Sequence, residues 1–411
     1  MPIDETISER GRALLQLIML PGLGSVRASR LLDAFGGSAD RVLGASHAAW
    51  CAVPGIGRVT SERARAAIRD ASDAAAAEIE RMLAAGVRAV VHGEDGYPSL
   101  LSELPDAPRL LFIRGELGPS SPSPLRDAYP VAIVGSRRCT QYGIEQAERF
   151  AGVLGRSGLT VVSGGARGID TAAHRGALRS GGRTIVVQGC GLGVAYPPEN
   201  GALFDRIVGD GGGAIVSELP MLTEPRGEHF PARNRIISGL SLGVVVIEAG
   251  RKSGALITAA VAAEEHGREV MVLPGRVDSD TMAGSLDLLK RGHGALVTEP
   301  GDVLEHLEAP ARFAHDGVHG ARYADPSRPA ATSGGLFGEP HGPERSVAVE
   351  AEHQPILVAI RVMTAAGGVA TADALCRELK MSAPELRTAL TMLELGGRIR
   401  RSGAGFDVRS A

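Results

Sequence analysis

Residues 160–170 read Thr160-Val161-Val162-Ser163-Gly164-Gly165-Ala166-Arg167-Gly168-Ile169-Asp170. A short apolar run ends in a glycine-rich loop, and the loop opens into an alanine-rich stretch of helical character. A run that is apolar at successive positions fits a strand buried on both faces, as in a parallel sheet covered by helices. Working outward, the same unit recurs. Apolar runs at Val131–Val134, Thr184–Gln188, Ala214–Ser217, Gly243–Glu248, Glu269–Leu273 and Ala295–Thr298 alternate with helical stretches. Residues 130–308 are therefore expected to form a doubly wound α/β domain.

The carboxyl ends of such strands form the usual binding edge of this architecture. The loops there are Gly135-Ser136-Arg137-Arg138, Ser163-Gly164-Gly165-Ala166-Arg167-Gly168, Gly189-Cys190-Gly191-Leu192-Gly193 and Gly250-Arg251-Lys252-Ser253-Gly254. Glycines let a backbone approach an anion, and the free N–H groups of a helix start favour negative charge. Arg137, Arg167, Arg251 and Lys252 add cations at the same edge, so several phosphates rather than one are expected. The alternative is tight strand–helix packing with no ligand. A further segment, His229-Phe230-Pro231-Ala232-Arg233-Asn234-Arg235, is expected to enter a helix at about Asn234. It offers a stacking ring, an amide and two guanidinium forks. Its alternative is a surface helix start, with Phe230 in the core and the arginines paired to acids.

The outer parts differ in character. Leu20-Pro21-Gly22-Leu23-Gly24 and Val53-Pro54-Gly55-Ile56-Gly57 form a near-repeat 33 residues apart, each copy followed by an Ala/Arg-rich helical stretch. This fits a pair of helix–hairpin–helix units, which contact either a phosphate backbone or protein. Residues 11–70 carry 8 Arg against 4 acidic residues. A helix near Ala74–Ala85 and strands at Arg88–His92 and Leu110–Arg114 follow, then a Ser/Pro loop at 119–124. Residues 309–352 have no periodicity and read as a flexible linker. Residues 353–411 read as three helical stretches, the third capped by Ser382 with Pro384 in its first turn, and a hairpin from Ile399 to Val408. Arg398, Arg400 and Arg401 cluster there. A winged helix of this kind binds duplex DNA or protein.

Composition narrows the remaining classes. Net charge is −3 over 411 residues, so a nucleic-acid partner is not legible from the total. Aromatics make up 3%, which leaves few rings for base stacking. Of 44 basic residues all but Lys252, Lys290 and Lys380 are Arg, a skew that GC-rich coding also produces. Cys51, Cys139, Cys190 and Cys376 have no CxxC spacing, so neither a metal site nor a disulfide framework is expected. The acidic N-terminus does not read as a secretory signal. No apolar run approaches the ~18 residues that a spanning helix needs, and a cytoplasmic location is expected. No P-loop occurs, and Gly191-x-Gly193 lacks the third glycine of a dinucleotide motif, so no cofactor is expected. His174, Glu218 and Glu248 are open either to acid–base chemistry or to packing and ion pairing.

Several motifs in order carry a family resemblance. They are Val134-Gly135-Ser136-Arg137, Val162 to Asp170 with Ala173-His174, Tyr196-Pro197-Pro198-Glu199-Asn200, Phe230-Pro231-x-Arg233-Asn234-Arg235-Ile236-Ile237-x-Gly239-Leu240, Ser253-Gly254-Ala255-Leu256-Ile257-Thr258-Ala259 and Leu273-Pro274-Gly275. Over about residues 90–308 the chain resembles the bacterial DNA-processing protein A (DprA/Smf) family. The resemblance implies an extended Rossmann-like core with a helix–hairpin–helix (SAM-like) front and a winged-helix tail. The division it suggests is 1–70, 71–308, 309–352 and 353–411. It implies a non-enzymatic protein that binds incoming single-stranded DNA in natural transformation, protects it and helps load the RecA recombinase, commonly as a homodimer. Carried over by motif, the DNA-binding residues would be Ser136, Arg137, Ser163, Gly164, Gly165, Arg167, Gly168, Phe230, Arg233, Asn234 and Arg235, with Arg251 and Lys252 beside them. No catalytic residue, metal or membrane partner is implied. The core is also similar to nucleotide-binding phosphoribohydrolases, but residues 251–258 lack their Gly-Gly and positioned Glu. A protein-interaction scaffold is the other alternative.

Overall fold

The computed structural model describes residues 6–119, 126–209 and 211–314. In a second unit it describes 355–361, 363–364, 370–379, 381, 386, 390, 393, 399–402 and 405–408. Contacts divide the chain into Met1–Ala330 and Ala331–Ala411.

The first unit is built on a nine-stranded sheet of order β1-β2-β6-β5-β4-β3-β7-β8-β9. The strands are β1 Val87–Val91, β2 Leu110–Gly115, β3 Pro130–Val134, β4 Thr160–Ser163, β5 Arg183–Val187, β6 Gly213–Ser217, β7 Gly243–Val246, β8 Glu269–Val272 and β9 Ala295–Leu296. From β6 to β9 every neighbouring pair is parallel. The winding runs outward from β3 in both directions, so the switch point lies between β3 and β7. A crevice opens beyond the strand ends at such a point.

The sheet is not wholly parallel. β1 pairs antiparallel with β2, and β2 pairs antiparallel with β6. These two strands alternate faces, as the strand period of two requires. Val87, Ala89, Val91, Leu110 and Phe112 pack with the N-terminal helices, while Val90, Leu111 and Ile113 join the central core. The central strands behave differently. Every residue of β3, β4, β6 and β7 is buried.

The N-terminal helices, Glu9–Ile18 through Ile68–Ala84, share one core around Trp50, whose indole N–H donates to Val42 O at 2.8 Å. Serines 8, 38 and 46 accept backbone N–H groups at three of the helix starts. The helix expected at Ala74–Ala85 is longer and begins at Ile68. The last helix of the unit, Pro300–Ala314, carries six residues of the stretch read as linker. The rest of that stretch through residue 352, most of the Ser/Pro loop, the helix start at Ser382 and Arg398 lie outside the described residues.

In the second unit, helix Ala372–Leu379 and the hairpin of β10 Ile399–Ser402 with β11 Gly405–Val408 are described, and Ile360, Leu375, Leu386 and Ile399 share a core. Among the described residues no helix is long and apolar enough to cross a membrane.

Candidate nucleic-acid interface

The crevice at the switch point is a cleft of about 930 Å³. Its walls come from the loop after β3, the helix His229–Gly239 before β7, and the loop after β7. Close packing dictates the glycines. A Cβ at Gly135 would lie 2.8 Å from Ile169 Cβ and 2.9 Å from Glu248 O. Gly168 has a φ of +78° and runs against the Ser136 carbonyl, which leaves no room for a side chain. The loops are then tied together: Ser136 N–H donates to Glu248 O at 2.7 Å, and Ile169 N–H donates to Ser136 O at 3.3 Å.

On this frame the exposed side chains of the β3 loop project into the cleft. Arg137 places its guanidinium carbon 4.8 Å from the centroid of the Phe230 ring. Phe230 is half-buried, and Tyr196 lies beside it with ring centroids 5.5 Å apart. Arg138 and Lys252 are exposed and line the same cleft. Neither makes an ion pair among the described residues. Arg251 also lines it and holds Asp287 at 3.3 Å while remaining open to solvent. Asn234 is buried and donates to Gly254 O at 3.3 Å. Ser253 caps the helix Gly254–Glu264 by accepting from Ala255 N–H. The cleft therefore joins an aromatic wall to several unneutralised cations, a combination suited to a chain of stacked, phosphate-linked groups.

Not every expected residue is placed to touch a ligand. Ser163 is fully buried and donates to Ile133 O at 2.6 Å. Gly164 and Gly165 shape the loop: a Cβ at Gly164 would meet the Arg233 guanidinium and the Asp170 carboxylate, and Gly165 has a φ of +65°. Arg167 is exposed but lies outside the cleft lining and pairs with Glu199.

Arg233 departs furthest from expectation. It is only 4% exposed and donates from Nη1 to Gly164 O at 2.6 Å and also to Val187 O. Burial lowers its pKa to about 10, with Asp170 opposing the fall, so it stays charged at neutral pH. It holds the floor of the cleft. Arg235 points away from the cleft and binds Glu218 at 2.6 Å and Asp106 at 3.4 Å. The helix begins at His229 rather than near Asn234, and residues two apart on a helix lie about 200° apart. The two arginines consequently serve opposite sides.

The groups open to acid–base roles resolve into structural ones. Glu248 is buried and accepts from Thr140 N–H at 2.9 Å and from Thr140 Oγ1 at 2.6 Å. His174 is fully buried. Thr184 Oγ1 donates to Val161 O, so it must accept from His174 Nδ1–H at 2.7 Å. Burial, and then Arg233, lowers the His174 pKa to about 3. Asp170 lines the floor, and burial raises its pKa against the opposing charge of Arg233.

Sequence reasoning passed over Arg138 and Tyr196, which line the cleft. Arg138 follows Arg137 in the same loop, and Tyr196 stands in a quoted motif. What brings them to the cleft is the fold of their loops.

Comparison with known proteins agrees with this architecture. Residues 88–308 match the family DNA recombination-mediator protein A, and residues 340–405 match the DprA winged helix domain. Protein Smf of Escherichia coli K12 is 36% identical over 312 residues, which cover 75% of this chain and 74% of that protein. The DNA processing protein DprA of Streptococcus pneumoniae R6 is 45% identical over 215 residues, covering 52% and 72%. The X-ray structure of DprA from Streptococcus pneumoniae superposes with a TM-score of 0.57 at 34% identity, over 72% of this chain and 97% of that one. The chain belongs to the DNA recombination-mediator protein A (DprA/Smf) family.

Proposed function

We propose that this protein binds single-stranded DNA in the switch-point cleft and acts as a recombination mediator, protecting incoming strands and helping to load RecA during natural transformation. The observation that carries the reading is the joining of Phe230 and Tyr196 to Arg137, Arg138, Arg251 and Lys252 in one open cleft. Rings accept any base by stacking, and the cations follow the backbone without reading sequence. Ser136 and Asn234 line the same walls, while Arg233 and the glycines at 164, 165 and 168 shape them. Family membership supports a homodimer and a RecA partner. It also supports a core that takes in 88–308 and a winged helix that takes in 353–405, and the sequence repeat supports a hairpin region at 1–70.

Titration of labelled oligo-dT at several salt concentrations tests the reading. Log affinity should fall with log salt at about 0.7 per phosphate neutralised. Affinity independent of salt contradicts it.

One observation favours a second, enzymatic reading: a carboxyl with a raised pKa, Asp170, lines the cleft. Incubation with nucleoside monophosphates decides between the two. Release of free base establishes the enzyme, and none is expected.

A further inference from the structure

Glu78 lies on the helix Ile68–Ala84, far in sequence from the cleft, and the residue is only 1% exposed. One oxygen accepts the backbone N–H of Met221, and the other holds Arg81 at 2.9 Å. A carboxylate is costly to bury, and here it is compensated by a backbone donor 143 residues away. Met221 is itself buried in the core of the N-terminal helices, and Leu192 packs against that core.

The connection continues to the aromatic wall. Met221 O accepts from Gly193 N–H at 2.9 Å, and Thr223 O accepts from Gly191 N–H at 2.9 Å. Gly191 lies against the carbonyls of Pro220 and Met221 with no space for a Cβ. At the other end of the same loop, a Cβ at Gly189 would stand 3.0 Å from Phe230 Cδ1. The loop 189–193 is thus fastened to 221–223 on one side and backs the Phe230 ring on the other.

We propose that Glu78 is a positioning residue for the stacking wall: through Met221 and the 189–193 loop it sets where Phe230 stands. The N-terminal helices then serve the cleft as a scaffold, whatever else their hairpins contact. This rests on the single-stranded DNA reading above.

The test is a double-mutant cycle on the full chain, read by anisotropy of fluorescein-labelled oligo-dT. F230A should weaken binding at least about fivefold, the low end for loss of one base–aromatic stack. E78A should weaken it about threefold in the parent and by less than about 1.5-fold in F230A, since coupled residues are not additive. The salt slope of E78A should match the parent, because no phosphate contact is removed. E78Q keeps an acceptor for Met221 N–H and should restore affinity. E78D, one methylene shorter, withdraws the oxygen and runs the same cycle should E78A not fold. Equal losses in both backgrounds, or an E78Q as weak as E78A, overturn the proposal. Hydrogen exchange without DNA supplies an independent reading. Segment 189–196 should exchange faster in E78A, while 131–138 does not change, and unchanged exchange in both overturns the proposal. Faster exchange in 189–196 with DNA affinity equal in every variant would retain the hold of Glu78 on the wall and overturn the DNA reading instead.

Discussion

The guanidinium of Arg137 lies over the ring of Phe230 at 4.8 Å, one residue from the loop after β3 and the other from the helix before β7. The contact spans the switch point of the sheet. It sets a cation beside an aromatic ring, and Tyr196 lies next to that ring with centroids 5.5 Å apart. A cation over an aromatic face is held by the ring quadrupole.

The two partners should fail in different ways. Phe230→Ala should cost about 1–3 kcal/mol of oligo-dT affinity and leave the salt slope unchanged. Arg137→Ala should lower the slope by about 0.7. Titrations at four salt concentrations separate the two, and identical slopes for both variants would contradict the assignment.

Arg233 should behave as a structural residue. Its replacement strands the carbonyls of Gly164 and Val187 and leaves Asp170 buried without its cation. Arg233→Ala should lower the stability of the fold by about 3 kcal/mol, the cost of leaving two buried carbonyls without a donor. A urea melt checks this. An unchanged midpoint together with lost DNA binding would return Arg233 to direct contact.

Arg167 should matter less than Lys252. Its charge is already met by Glu199, and it stands outside the cleft lining. Arg167→Ala is expected to change oligo-dT affinity by no more than about twofold, in line with exposed ion pairs. Lys252→Ala should reduce the salt slope. The reverse order of effects would place the DNA path along the β4 loop.

Stability should decline in mild acid through His174. The folded pKa of about 3 lies below the ordinary 6.5, so between those values the unfolded chain takes up a proton that the folded one refuses. The contribution is full above pH 6.5 and falls by about 1.4 kcal/mol per pH unit below it. Asp170, with its raised pKa, acts with the opposite sign, because its folded carboxyl holds a proton that the unfolded one has lost. His174→Asn isolates the first effect. From about pH 7 to 4.5 the variant should lose less stability than the parent, and parallel melting curves would contradict it.

Much of the fold was legible because the central strands are buried on both faces. Their runs, such as Val131–Val134 and Val244–Ile247, are apolar throughout and cannot read as amphipathic helix. The joining of β1 and β2 to this sheet was not legible, since pairing direction depends on residues more than a hundred positions apart, as for Phe112 and Ser217. The loops of the cleft were readable from their glycines and arginines. The division of labour between Arg233 and Arg235 was not, because it turns on where one helix begins. Glu78 left no local signal at all, since its partner is a backbone N–H that only the tertiary fold supplies.

The most direct measurement compares oligo-dT with a duplex of equal length on the full chain, in the parent and in Phe230→Ala and Arg137→Ala. A cleft walled by Phe230 and Tyr196 needs unpaired bases, so the parent should bind the single strand more tightly, and both variants should lose that preference. Variants that keep the single-strand affinity of the parent would contradict the cleft as the DNA site.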